Sequence, residues 1–140
     1  PNSYDVVLCL GAAFALGGFV QAVEWMVAAA KPGGAVVIGD LTLKHRPVVN
    51  THQHLPLDPV DAAGVVQRHG AEVSALISAS DADFERYASH HRHATLRWAR
   101  EHLGHPDHDE VLDKSRDDWT YYLRTVRPML GWTIFVGRKD

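Results

Sequence analysis

The chain of 140 residues predicts an α/β fold built on a mainly parallel sheet, and three observations carry that prediction. Short runs of apolar, partly β-branched residues recur with the composition of strands covered on both faces. Between them lie stretches whose apolar residues repeat at helical spacing. Proline and glycine punctuate the joints, giving the order strand, helix, strand, helix, strand.

The first strand is Tyr4-Asp5-Val6-Val7-Leu8-Cys9-Leu10, ending at Gly11. Residues Ala12 to Gly18 are small and glycine-rich, and Phe19, Val20, Val23, Met26, Val27 and Ala30 then trace an amphipathic helix. Lys31-Pro32-Gly33-Gly34 stops it, because proline lacks a backbone donor and glycine admits turn conformations. Ala35-Val36-Val37-Ile38-Gly39 reads as a second buried strand, parallel to the first through a right-handed crossover. From Asp40 to Pro56 the sequence is loop-like and carries Pro47, Pro56 and the histidines His45, His52 and His54.

Asp58-Pro59 is a helix cap followed by proline at the first helical position, and Gly70 closes the helix spanning Pro59 to His69. Glu72 to Ser78 is the third strand. Ser80 with Asp83 then opens a longer helix in a capping-box-like arrangement, with Phe84, Tyr87, His91, Thr95, Trp98 and Ala99 on one face as far as Gly104. A further helix begins near Asp107, where Asp107, Asp109 and Glu110 suit the positive end of its dipole, and it presents Leu112, Ser115, Trp119, Tyr122 and Val126. Arg124 and Arg127 suit its other end, and Pro128 and Gly131 terminate it. Trp132-Thr133-Ile134-Phe135-Val136 is the last strand, ending in the charged tail Arg138-Lys139-Asp140.

Composition narrows the partners. With 46% hydrophobic and 22% charged residues and a formal net charge of -3, the chain has ordinary globular values and no cationic excess to bind a phosphate backbone, so nucleic acid is not expected. The apolar stretches fall short of the ~18–20 residues needed to cross a bilayer, so no membrane role is expected either. The single cysteine, Cys9, reads as a buried thiol in a reducing, cytoplasmic setting. Pro1-Asn2-Ser3 opens the chain without an initiator methionine, the pattern of a piece of something longer.

Metal binding is not expected despite ten histidines. His90-His91-Arg92-His93 and His52-Gln53-His54 lack the i, i+4 pairing of a zinc-binding helix, no His-Glu-x-x-His string occurs, and one cysteine cannot build a thiolate cage. His102, His105 and His108 read as a solvated cluster that titrates near neutral pH. The stretch Gly11 to Gly18 lacks the Lys-Ser/Thr ending of a phosphate loop.

The Tyr4-Asp5-Val6-Val7 strand ending at Gly11, the Lys31-Pro32-Gly33-Gly34 stop and the strand ending Ile38-Gly39-Asp40 together resemble the second half of a class I S-adenosylmethionine-dependent methyltransferase. The resemblance covers almost the whole chain. It implies a partial Rossmann-like, doubly wound sheet: the last four of seven strands, the last one antiparallel, with residues 80–130 as a two-helix insertion that serves as a substrate lid. The family's glycine-rich cofactor loop and its two acidic cofactor contacts belong to earlier strand-helix units that this sequence does not contain. The chain is thus expected to be the C-terminal part of an enzyme that methylates a small molecule, inactive by itself.

In such a sheet the cofactor lies at the carboxyl ends of the strands where strand order reverses. The resemblance therefore places S-adenosylmethionine beside Gly11, Ala12, Ala13 and Phe14, although the same residues suit a plain strand-to-helix turn. Asp40 would face the substrate and orient an amine or hydroxyl or act as a base, or else anchor a loop. Tyr87, His91 and Trp98 would roof the substrate pocket, with His91 a second candidate base, or else form the core of a helix pair. Displacement at a sulfonium-bound methyl needs positioning and desolvation more than a protein nucleophile.

The strand Tyr4 to Leu10 would be central in a complete fold and has no partner on one side here, so association is expected. Two such strands would join in a homodimer across a two-fold axis, or the edge would pair with the missing N-terminal half. The alternative to a methyltransferase part is a non-catalytic α/β dimerisation or ligand-binding module with a histidine-rich helical face.

Overall fold

A computed structural model describes residues 2–45 and 55–140. They divide into two compact units, one of residues 2–45, 55–78 and 131–140, the other of residues 79–130. The first contains a four-stranded sheet in the order β1-β2-β4-β3, formed by β1 (Tyr4–Leu10), β2 (Ala30–Leu43), β3 (Ala71–Ser78) and β4 (Leu130–Lys139). β1 and β2 are parallel and β3 and β4 antiparallel, as the sequence predicts. β4 also runs against β2, since Gly39 lies beside Ile134 while Lys44 lies beside Gly131.

One face of this sheet is covered by α1 (Phe19–Ala29) and α2 (Pro59–Arg68). Val36, Ile38 and Phe135 are fully buried there against Ala22, Val23, Met26, Val65 and Val66, and Phe19 meets Phe135 edge to face at 5.9 Å. Burying each such side chain is worth about 1.5–3 kcal/mol. Cys9 is buried in the same core, as expected. Val20, expected on the packed side of the first helix, is half exposed, because the buried line of the helix runs through Ala22, Val23, Met26 and Val27 instead.

The Lys31-Pro32-Gly33-Gly34 segment differs from expectation. α1 stops before it, at an extended Ala30 that already pairs with Tyr4, and pairing resumes at Val6 with Ala35. The four residues therefore form an excursion inside β2 rather than a turn ahead of it. Gly33 adopts φ +73, and a Cβ on Gly34 would lie 2.8 Å from the Lys31 carbonyl oxygen, so both glycines are required by backbone geometry. Lys31 in turn donates to Asp5 across the excursion at 2.9 Å.

The second strand also extends beyond Gly39 to Leu43, so Asp40 lies within it and the loop starts later than the sequence suggests. The added residues run alongside β4, where the Thr42 and Thr133 hydroxyls meet, and Leu43 also donates to the Leu57 carbonyl. Pro47 and the His52-Gln53-His54 group lie outside the described residues. α2 begins as predicted: the Asp58 carboxylate accepts from the Asp61 amide at 2.8 Å, and Gly70 follows with φ +90. The charged C-terminal tail is not merely solvated. Lys139 donates to the Val27 and Ala30 carbonyls, satisfying acceptors at the end of α1, and Arg138 donates to Gly33.

The second unit consists of α3 (Asp81–Glu101), α4 (His108–Tyr121), a π turn over Tyr122–Val126 and α5 (Arg127–Met129). Ser80 and Asp83 form a complete capping box, with the Asp83 amide donating to the Ser80 hydroxyl and the Ser80 amide to the Asp83 carboxylate. Leu112, Ser115, Trp119, Tyr122 and Val126 are on the packed side of the second helix, as their spacing predicts. Pro128, expected to end that helix, is accommodated in it. Proline cannot donate to the Arg124 carbonyl, and the wider π turn just before it relieves the crowding its ring would cause.

Candidate functional site

The carboxyl ends of β1 and β2 place the first set of predicted residues together. Gly11, at φ +68, donates to the Gly39 carbonyl at 2.8 Å, so the tip of β1 is tied directly to the residue before Asp40. Ala13 to Leu16 then form one 3-10 turn closed by Gly17 and Gly18, both at positive φ. The four residues predicted to line the cofactor have different surroundings. Gly11 and Ala12 are exposed, Ala13 is packed into the core, and the Phe14 ring is 82% exposed.

Asp40 is half-buried, and its carboxylate accepts from the Leu41 amide at 2.8 Å. By strand alternation it shares the face of Val36 and Ile38. One carboxylate oxygen is thus engaged locally, and the group retains acceptor capacity for a further donor.

Two features of this rim are not visible in the sequence reading. The Trp132 indole lies across the rim, so close that a Cβ on Gly11 would sit 3.0 Å from its Cη2 and one on Gly39 3.2 Å from its Cζ2. Glycine at both positions therefore lets a flat ring span two strand ends. Second, the hydroxyls of Thr42, Thr133 and Ser78 form a string across β2, β4 and β3, at 3.0 and 3.3 Å. Thr42 and Thr133 are buried, and the string satisfies their hydroxyls while fixing the strand ends in register. The cues were the paired glycines and the hydroxyls inside otherwise apolar strands.

In the second unit the predicted roof residues fall into two groups. Tyr87 and His91 touch edge to face at 4.9 Å, one turn apart, and Tyr87 is 67% exposed. Trp98 instead stacks on His102 at 4.9 Å and meets the His105 ring edge to face at 5.3 Å. The packed line of α3 runs through Phe84, Ala88, Arg92, Leu96 and Ala99, which turns Tyr87 and His91 off the helix-helix seam. Arg92 takes the place expected of an aromatic neighbour. Its guanidinium donates to the Ser115 carbonyl at 2.8 Å and lies 5.2 Å over the Trp119 ring.

The cluster at the α3–α4 turn is more structured than expected. His102 bonds the Trp98 carbonyl through Nδ1, and His105 Nδ1 accepts from the Asp107 amide. His108 pairs with Asp109 and its side chain is largely buried. Among the described residues, no group of three His, Cys, Asp or Glu side chains converges to hold a metal ion. Among them also, no helix is long and apolar enough to cross a membrane.

Tyr122 is the buried centre of this unit, stacked on Trp119 at 5.4 Å and on Phe84 at 6.3 Å. Its hydroxyl has no hydrogen-bond partner among the described residues. Burial, with the Glu85 carboxylate adding to it, holds the phenol above its ordinary range. Glu85 itself pairs with Arg127 at 2.6 Å. A groove of about 450 Å³ between α3 and α4 is lined by Leu96, Ala99, Arg100, Leu103, His108 and Leu112, and none of Tyr87, His91 or Trp98 lines it.

No family profile matches the sequence. The uncharacterized protein YjhP of Escherichia coli K12 is 27% identical over 144 residues, which cover 94% of this chain and 56% of YjhP. The crystal structure of YjhP superposes with a TM-score of 0.86 at 22% identity, covering 99% of this chain and 60% of that one. A methyltransferase from Geobacter sulfurreducens, solved with S-adenosyl-L-homocysteine, gives 0.85 at 21% identity, covering 99% and 59%. One from Thiobacillus denitrificans, with the same ligand, gives 0.84 at 20%, also covering 99% and 59%. The chain therefore spans a little over half the length of these relatives. Over that span, its four-stranded mixed sheet and flanking helices have the fold of the class I S-adenosylmethionine-dependent methyltransferases.

Proposed function

We propose that this chain is part of a methyltransferase that uses S-adenosylmethionine to methylate a small molecule, and that these residues are inactive by themselves. The observation that carries the reading is the match of all four strands, at a TM-score of 0.85, to an enzyme solved with S-adenosylhomocysteine. The local geometry agrees with it. Gly11 and Ala12 present bare backbone at the carboxyl rim, the position where doubly wound sheets bind their ligands. A side chain at Gly11 would collide with Trp132 and fill that approach.

The bound cofactor would supply an electrophilic methyl group. The chain's own residues would hold and orient. Gly11 to Phe14 would line the cofactor, with Phe14 giving an apolar wall and Ala13 contributing backbone only. Asp40 would use its free acceptor capacity to orient a substrate hydroxyl or amine, or remove its proton. Tyr87, His91 and Trp98 would belong to a substrate lid formed by residues 80–130, with His91 the second candidate base. The fold match does not favour the alternative of a non-catalytic module with a histidine-rich face.

Titration calorimetry with S-adenosylhomocysteine tests the reading. The chain alone should show no binding at micromolar concentrations. The longer polypeptide that supplies the rest of the fold should bind, and Gly11→Val should abolish that binding. Micromolar affinity in the 140 residues alone would contradict their proposed inactivity, and undiminished binding by Gly11→Val would remove the rim from the site.

A further inference from the structure

The groove between α3 and α4 contains none of the residues assigned above to cofactor or substrate. Its walls follow from helical spacing. Leu96, Ala99, Arg100 and Leu103 stand at i, i+3, i+4 and i+7 along α3 and the turn that follows it, and His108 and Leu112 share one side of α4 at i, i+4. Leu103 is 77% exposed, an apolar side chain bordering the groove with little to cover it. The volume of about 450 Å³ lies within the ~300–1,000 Å³ usual for small-molecule sites, which combine mainly apolar walls with a few polar groups.

Arg100 sets the charge of that groove. Arg86, Arg116 and Arg127 meet carboxylates at 3.3, 2.8 and 2.6 Å, whereas Arg100 has no carboxylate partner among the described residues. Its Nε donates to the Leu96 carbonyl at 3.3 Å, one turn back along α3. That bond ties the head group to the groove wall and leaves the donors of both terminal nitrogens unspent, the fork from which a carboxylate accepts two hydrogen bonds. The other polar wall is His108, whose Nδ1 donates to Asp109 at 2.8 Å. The Asp109 side chain itself is 95% exposed and does not line the groove, so no carboxylate offsets Arg100 there.

An apolar trough with one unpaired cation selects a ligand with the same two parts. A neutral alkyl chain covers the leucines and leaves the guanidinium without a partner, while a small anion meets the guanidinium and leaves the leucines bare. We propose that the α3–α4 groove binds an aliphatic monocarboxylate, with its carboxylate on Arg100 and its chain along Leu96, Leu103 and Leu112. Leu96 to Leu103 covers about 10 Å at a helical rise of ~1.5 Å per residue, the reach of an extended chain of about eight carbons. Each methylene that the trough covers gains up to about four-fold in affinity, so the chain supplies most of the binding and the charge supplies the choice. The site stands apart from the methyl-transfer reading and does not depend on it.

The probe is sodium octanoate, titrated into the full chain while backbone amide shifts are followed by NMR. Saturable shifts are expected at Leu96, Ala99, Leu103 and Leu112. Acetate should move none of them, and octanol should bind about ten-fold more weakly than octanoate, because only the charge that meets Arg100 separates the two. Arg100→Gln should lower octanoate affinity about ten-fold and leave octanol affinity unchanged, a split that a merely structural role for Arg100 would not produce. Arg100→Lys should fall between, since it keeps the charge and loses the fork. Leu103→Ser, at an exposed position, should weaken both ligands. Equal affinities for octanoate and octanol would overturn the proposal, as would octanoate shifts centred outside the groove or an Arg100→Gln variant that binds octanoate as tightly as the unchanged chain. A dimer that covers the same four residues without any ligand would overturn it too, by giving the groove to a second copy.

Discussion

The two faces of the sheet are made from the same strands and nearly the same residue types, yet they have opposite fates. On one face Val36, Ile38 and Phe135 are fully buried under α1 and α2. On the other, Leu8 is 61% exposed. Apolar strand composition therefore reports the environment a strand is built for, and the helices present in the chain decide which face receives it. The contrast is sharpest within β1, where Cys9 is buried between exposed Leu8 and Leu10.

Substitutions on the two faces should separate them cleanly, and the largest effect belongs to the covered one. Phe135→Ala should cost about 3–5 kcal/mol, by analogy with other buried aromatic truncations, whereas Leu8→Ala in the chain alone should stay within about 0.5 kcal/mol. Urea denaturation of both variants measures the difference, and comparable losses would mean that the open face is covered in solution. Gly34→Ala comes next, at about 1–3 kcal/mol, because its Cβ would meet the Lys31 carbonyl at 2.8 Å and backbone atoms of β1 beyond it. A neutral result would show that the excursion in β2 is pliable and that β1 is held by something other than its fit.

The helical unit gives smaller, more local contrasts. Tyr122→Phe should be neutral or stabilising, by up to about 1 kcal/mol, since it removes a buried hydroxyl with no partner among the described residues while keeping both ring stacks. A clear loss of melting temperature would reveal a partner for that hydroxyl in solution. The smallest effect concerns acid. The Ser80 hydroxyl and amide hold the Asp83 carboxylate below its ordinary value of 3.8. Its contribution to the start of α3 is therefore complete above about pH 4 and is lost as the pH falls through the lowered value. Amide exchange at Asp83 followed from pH 5 downward should show the first turn opening in that window, and Asp83→Asn should flatten the dependence.

Much of the fold was legible because its signals are local. Tyr4–Leu10 matches its predicted bounds, the Asp58 and Ser80 caps have the predicted hydrogen bonds, and Gly70 follows α2 at positive φ. Each depends on residues close in sequence, where backbone sterics and short side chains leave few choices. The candidate site was legible only in part. The rim residues Gly11 and Asp40 are indeed adjacent, through the Gly11–Gly39 hydrogen bond. Trp132 was missed because it arrives from a strand more than ninety residues later, and glycine in sequence does not say what lies against it. The stripe on α3 was misdrawn at Tyr87 and His91 for a related reason. The seam position goes to Arg92, whose guanidinium reaches the Trp119 ring and the Ser115 carbonyl on the neighbouring helix, a pairing that spacing along α3 alone does not encode.

The sequence alone settled the order and type of elements, the helix caps and the largely apolar character of the strands, because periodicity and capping are properties of neighbouring residues. Tertiary structure decided which strand face is covered, that Lys31 to Gly34 interrupts a strand instead of preceding it, and which distant ring lies over the rim. Those outcomes depend on pairing register and on packing between segments far apart in the chain. No local pattern encodes them, since they minimise the exposed surface and unpaired backbone of the whole assembly.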